Sequence, residues 1–395
     1  MKRLIPLAVL AALAATACSS SSKSPATTSS STPPSTAAST PAAAASTPAA
    51  GASSSAAGPA AALATGNPSS KVTINESGSS LLYPFLQELV TPLSAAYPNI
   101  SLAPAAGGSG KGISDAIAGT SQLGGSDAYL SNGQLQANPG LLNIPVVVSA
   151  QAVNYNLSGV TGLKLSGDVL AQIYQGKITK WNDPAIAALN AGTTLPATTI
   201  VPVRRVDSSG DTFIFTSFLS ATNAAWKSGP AFGTTVTWPA AAGELTASGN
   251  PGMVQTCKAT PGCVAYVGVS AEASAQTAGL GEAQLQNHDG SFVTPTADAI
   301  NAAVSAGSGS VPANLAAPLI YEPGAASYPI VNFEYLVVKS KQSSADVAMA
   351  IRTFIAWTMD PNGGSTQANL AKEDFVALPS SVVPLVQAAI AKISS

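Results

Sequence analysis

Charge is scarce in this chain. Of its 395 residues only 9% are Asp, Glu, Lys or Arg, the net charge is −2, and no stripe of lysine and arginine appears. Nucleic-acid partners are held through clustered positive charge, so their absence excludes nucleic acid as a partner. Histidine occurs once, as His288 in the hairpin-turn sequence Asn287-His288-Asp289-Gly290. With so little histidine and no His/Asp cluster, the chain has no usual set of metal ligands and no base to activate a nucleophile. No metal, no cofactor and no enzymatic activity are therefore expected. Beyond the N-terminal run, no apolar stretch is long enough to span a bilayer.

The N-terminus carries Lys2 and Arg3, then a short apolar run over 4–16, then small residues before Cys18. That pattern predicts an export signal. Ala15-Thr16-Ala17-Cys18 resembles a bacterial lipoprotein box, in which the cysteine becomes the lipidated, palmitate-bearing first residue. Ala15 stands where such boxes usually carry Leu. The alternative is ordinary cleavage near Ala17, which leaves a soluble secreted protein. Residues 1–18 are thus assigned to the signal and box, and the expected location is outside the cytoplasm, held to the cell membrane through Cys18. Residues 19–70 are almost wholly Ser, Ala, Thr, Pro and Gly with the single charge Lys23. Such a segment cannot bury a core and is expected to be a flexible spacer that permits O-glycosylation. The remaining cysteines, Cys257 and Cys263, bracket Lys258-Ala259-Thr260-Pro261-Gly262. In an exported protein they read as a local disulfide, the alternative being two free thiols.

From Lys71 onward the chain is too long for one small core and predicts two lobes. Strands are expected at 72–75, 100–103, near Gly125, and at 200–203 and 264–269. Helices are expected at 82–97, 112–118, 168–174, 184–189, 212–219, 345–358 and 382–393. The β-loop-α order implies an α/β fold with parallel sheets and ligand loops at the strand ends. Extended runs at 141–150, 152–157 and 329–339 would carry the chain between lobes. Lobe 1 is assigned to 71–150 and 328–395, lobe 2 to 151–327.

The scarce charge is concentrated. Arg204, Arg205, Asp207 and Asp211 fall together around Ser208-Ser209-Gly210, just ahead of an apolar helix. A turn with free N–H groups at a helix N-terminus suits an anion, and an arginine beside it can hold two oxygens at once. A surface turn whose charges pair with one another would have the same sequence. Three further loops share this character: Asn75-Glu76-Ser77-Gly78-Ser79-Ser80-Leu81, Ala106-Gly107-Gly108-Ser109-Gly110-Lys111-Gly112 and Gly124-Gly125-Ser126-Asp127-Ala128. The second is not a nucleotide P-loop. Ala105 replaces its first glycine and Gly112 the hydroxyl residue after lysine.

These loops occur in order as Gly78-Ser79-Ser80-Leu81-Leu82-Tyr83-Pro84, Gly107-Gly108-Ser109-Gly110, Gly125-Ser126-Asp127-Ala128 and Arg205-Val206-Asp207-Ser208-Ser209-Gly210-Asp211-Thr212-Phe213. Tyr174-Gln175-Gly176-Lys177-Ile178-Thr179-Lys180-Trp181-Asn182-Asp183-Pro184-Ala185-Ile186 lies among them. The set closely resembles the phosphate-binding proteins of the Pst ABC importer, over nearly everything from Val72 to the C-terminus. The spacer and the Cys257/Cys263 pair look most like actinobacterial members, which also suggest that those cysteines pair. The resemblance implies a type II periplasmic solute-binding fold: two α/β lobes joined by hinge crossings, with inorganic phosphate trapped in the cleft. It implies partnership with the membrane permease and ATPase subunits of the importer. The family's ligand contacts fall on Ser80, Leu81, Ser109, Asp127, Arg205, Ser209, Gly210 and Asp211, with Ser79 adjacent. Leu81 stands where many members have an aromatic residue, and Asp211 where many have threonine; the latter adds a second carboxylate to the site. A rival reading is a secreted phosphate-ester hydrolase, and another a surface lipoprotein with no transport role.

Overall fold

The computed structural model describes residues 64–395. The expected signal, Cys18 and most of the 19–70 spacer lie outside the described residues. The end of that spacer, residues 64–70, is fastened to the body. The Arg352 guanidinium donates to the Ala64 carbonyl, the Gly66 N–H to Thr353 Oγ1, and Ser69 and Ser70 donate to the Asp346 carboxylate.

One mixed sheet organises the rest. Val72–Gly78 pairs in parallel with Ile100–Ala103 on one side and Leu123–Ser126 on the other. Val201–Arg205 likewise lies parallel to and between Cys263–Gly268 and Leu245–Ala247. An antiparallel pair joins these two parallel halves. Leu141–Tyr155 and Ile330–Lys339 run beside each other, the latter against Leu123–Ser126 and the former against Cys263–Gly268. The sequence predicts two extended segments at 141–150 and 152–157; the structure has one uninterrupted strand. Its first part pairs with Ile330–Lys339 and its last part, Gln151 to Tyr155, with the other half. The reason lies in the sequence: the run is mostly apolar with no Gly to break it, and every residue from Asn143 onward is buried.

In both halves the parallel strands end on the same side, and the chain turns there into a helix. Tyr83–Ala96, Ser109–Ala118, Gly210–Thr222 and Gly249–Lys258 all begin just beyond a strand end. Pro84 sits in the first turn of its helix, where its missing N–H costs nothing. The 112–118 helix begins earlier than its sequence suggests, at Ser109, because Gly108 turns the chain at a positive φ of 87° that a side chain would oppose. Gly210–Thr222 is buried along nearly its whole length. It packs Phe215 flat on Tyr266, with ring centroids 4.5 Å apart, and Tyr266 in turn faces Trp238. The Tyr266 hydroxyl accepts from the Arg205 N–H and meets Thr212 Oγ1, which ties the strand end to the helix start. Cys257 and Cys263 form a disulfide that closes the turn between helix and strand. No helix among the described residues is long and apolar enough to cross a membrane.

Candidate functional site

The strand ends of the two halves face each other, and the four loops singled out in the sequence meet there. From the first half come Ser79, Ser80, Leu81, Ser109 and Asp127; from the second come Arg205, Ser209, Gly210 and Asp211. All of those side chains are buried. The halves touch directly. Gly110 N–H donates to the Ser208 carbonyl at 3.0 Å, Asn250 N–H to Ser80 Oγ at 3.3 Å, and Ser270 Oγ to the Leu81 carbonyl at 2.8 Å. Three of the flanking glycines are forced by this closeness. A Cβ on Gly108 would meet Asp207 Oδ2 at 2.7 Å, one on Gly110 would meet Ser208 Oγ at 2.0 Å, and one on Gly210 would meet Asp127 Oδ2 at 2.3 Å.

The first loop is folded inward on itself. Ser79 Oγ accepts from the N–H groups of Leu81 and Leu82 at 3.0 and 2.9 Å, while Ser79 N–H donates to the Gly125 carbonyl. Ser109 Oγ accepts from Asp127 N–H at 3.1 Å, so the second and third loops are also joined. Ser209 caps its helix by accepting from Thr212 N–H. The first-turn N–H groups of Gly210 and Asp211 precede any intrahelical acceptor and point out of the helix start, where its dipole is positive.

Arg205 lies at the centre, 3% exposed, and is bracketed by carboxylates. Asp207 accepts from its Nε at 2.8 Å and from Nη2, and Asp211 accepts from Nη1. Each Nη still has a second N–H to offer. The reading of the charge cluster as a set of mutual pairs is therefore correct in part. Arg204 pairs with Glu244 and lies over Trp238 near the surface, but the Arg205 pairs are buried. Burial pulls the Arg205 pKa down, Asp211 and Asp207 outweigh that, and the guanidinium stays charged. Burial pushes Asp207 up as well, but the hydrogen bonds and charge of Arg205 win and hold it below the ordinary carboxylate range.

Asp211 is placed differently from a simple ligand contact. Its carboxylate accepts from Arg205, from Asn250 Nδ2 at 3.2 Å and from Gln151 Nε2 at 3.2 Å, so both oxygens are already served by protein donors. Burial raises it to about 6 against the pull of Arg205, and the nearby Asp127 adds to the rise. Asp127 is the opposite case. Neither of its oxygens makes a hydrogen bond of normal geometry, although the hydroxyls of Ser79 and Ser109 and the carboxyl of Glu334 lie close enough to perturb it. Burial raises its pKa, and those neighbours and Arg205 oppose the rise.

Several residues of this centre escape a reading by motif: Asn250, Gln151, Ser149, Asn332 and Glu334. Asn332 and Glu334 alternate on one face of Ile330–Lys339, and Asn332 Nδ2 donates to the Asp127 carbonyl. Two polar residues spaced by two in an otherwise apolar strand are the signal that was available. His288 sits half exposed in its turn beside Asp289, and none of the residues gathered at the strand ends is a histidine or cysteine.

The model of the PBP superfamily domain matches residues 30–362. The phosphate-binding protein PstS of Pasteurella multocida is 33% identical over 324 residues, 80% of this chain and 89% of that protein. Phosphate-binding protein PstS 3 of Mycobacterium tuberculosis is 34% identical over 332 residues, 80% of this chain and 86% of that one. The crystal structure of a phosphate-binding protein from Stenotrophomonas maltophilia shares the fold with a TM-score of 0.62, at 22% identity over 80% of this chain and 93% of that one.

Proposed function

We propose that this chain, which belongs to the PstS phosphate-binding proteins within the PBP superfamily, captures inorganic phosphate outside the membrane and delivers it to an ABC importer. The observation that carries this reading is the placement, across two facing sets of strand ends, of a buried arginine and a buried aspartate neither of whose oxygens makes a hydrogen bond of normal geometry. Phosphate at neutral pH retains a proton and sulfate does not. Asp127 can accept from a phosphate hydroxyl, whereas against sulfate it would set lone pair against lone pair in a desolvated cleft. Arg205 supplies the positive charge. Ser80, Ser109, Ser209 and the N–H groups of Gly210 and Asp211 replace the hydration shell, while the Leu81 N–H is engaged by Ser79 Oγ, which holds that turn in shape. Closure of lobe 1, residues 71–150 and 328–395, on lobe 2, residues 151–327, brings both sets together and excludes water. No bond is broken, and no hydrolysis is expected. Cys18 as the lipid attachment point, with a spacer behind it, fits a receptor that must stay near its permease.

Calorimetric titration with phosphate and then sulfate tests the reading. Phosphate should bind at least about 10⁴-fold more tightly, the discrimination reached when a site requires a particular polar partner. Comparable affinities, or no phosphate binding, would refute it.

Asp211 adds a pH dependence. Binding an anion next to its carboxyl raises that pKa further above about 6. A group whose pKa is higher in the complex takes up protons on binding, so phosphate affinity should fall as pH rises through and above that value. Asp211→Thr should flatten the slope and bind more tightly at alkaline pH. Titrations in buffers of different ionisation enthalpy measure the uptake; equal uptake in both proteins would show that Asp211 does not sense the ligand.

A further inference from the structure

The strand Ile330–Lys339 carries two polar side chains on the face turned to the site. Asn332 holds the Asp127 backbone. The antiparallel pairing of Tyr335 with Ser126 sets Glu334 opposite Asp127, and their side chains meet. Glu334 is fully buried and accepts from Ser149 Oγ at 2.5 Å through Oε1. Its Oε2 has no donor facing it, and neither oxygen of Asp127 has one of normal geometry. Two carboxyl groups thus lie together in a water-excluded place with four oxygens and a single hydroxyl donor committed. Both cannot be ionised, because like charges this close in low dielectric repel too strongly.

The surroundings decide which group holds the proton. Asp127 faces the Arg205 charge and the hydroxyls of Ser79 and Ser109. Glu334 faces Asp127 and, farther off, Asp211, with the Tyr335 ring beside it on its own strand and only the Ser149 hydroxyl to support a negative charge. From this juxtaposition we propose that Glu334 is a neutral carboxylic acid whose O–H is donated to one Asp127 oxygen, making it the positioning residue that keeps Asp127 ionised and turns its other oxygen to the ligand. Burial, reinforced by the Asp127 charge, pushes Glu334 well above the ordinary carboxylate range, in agreement with that placement.

The inference rests on the phosphate reading and deepens it. An aspartate without this donor would gain a proton more readily, and a protonated Asp127 can donate to a fully deprotonated anion. Glu334 thereby protects the discrimination against sulfate. No proton is transferred; one is held in place.

Three proteins test this: wild type, Glu334→Gln and Glu334→Leu. The glutamine amide still donates to Asp127, so Glu334→Gln should keep the phosphate-to-sulfate affinity ratio. Leucine removes the donor. In Glu334→Leu the acid limb of the discrimination should move to higher pH, and the ratio at neutral pH should fall by about tenfold for each unit by which Asp127 is raised. If Glu334 were instead an anion, removing it would lower the Asp127 pKa and the ratio would rise; that result, or an unchanged ratio, overturns the proposal. Infrared spectroscopy reads the proton without ligand. The wild-type minus Glu334→Gln difference at neutral pH should contain the C=O band of a protonated buried carboxylic acid, separated by subtraction from other buried acids such as Glu76. Its absence refutes the neutral Glu334 even if Glu334→Leu fails to fold. Failure of wild type to bind phosphate with the band present would count against the phosphate reading alone.

Discussion

Arg205→Ala should lose phosphate binding by about 30- to 5,000-fold, corresponding to the roughly 2–5 kcal/mol that truncating a buried charged partner costs. The upper end is expected here, for a reason specific to this site. Arg205 is the shared cationic partner of Asp207 and Asp211. Without it the cleft retains the carboxylates of Asp127 and Asp207 with no buried cation beside them, and opposes an anion outright. The fold should survive, because Asp211 is already raised by burial and can take a proton in place of its lost partner. Arg205→Lys should rescue little: one ammonium cannot span Asp207 in bidentate fashion and reach Asp211 as well. Calorimetry measures the affinity, and a thermal melt without phosphate checks the fold. Wild-type affinity in a folded Arg205→Ala protein would remove Arg205 from the site.

Gly210→Ala should weaken binding as well, through sterics alone. A Cβ there would lie 2.3 Å from Asp127 Oδ2 and 2.4 Å from Ser109 Oγ, both on the opposite lobe. Overpacking of this kind costs about 1–3 kcal/mol, which is about 5- to 150-fold in affinity. Alanine suits a helix start better than glycine does, so the unliganded protein should melt no lower than wild type. The diagnostic result is a melting temperature that phosphate no longer raises. A normal phosphate-induced rise would mean that the lobes can close with a side chain at this position.

Much of the architecture was legible because the period of apolar residues is strong. The helices at Pro184–Leu189 and Ala345–Thr358 and the strand Ile100–Ala103 begin and end where the pattern places them. The loops were legible because Gly and Ser cluster where a chain poor in charge also places Arg205, Asp127 and Asp211. Two things were not. Asp211 has the spacing of a ligand residue, yet its carboxylate is turned onto Arg205, Asn250 and Gln151. Those partners come from separate strands and a separate helix, which no local pattern reveals. Glu334 and Asn332 were hidden for a related cause: their strand returns to Asp127 from about two hundred residues away in sequence.

The contact between Gly110 and Ser208 joins two backbones across the cleft, N–H to carbonyl. Such a clasp is indifferent to the identity of every side chain around it, provided Gly108, Gly110 and Gly210 stay small. Over evolutionary drift, residues at positions such as 81 and 211 can therefore be exchanged without loosening the closed form. Ligand preference and the mechanics of closing are inherited through different atoms, and a lineage can revise the first while leaving the second intact.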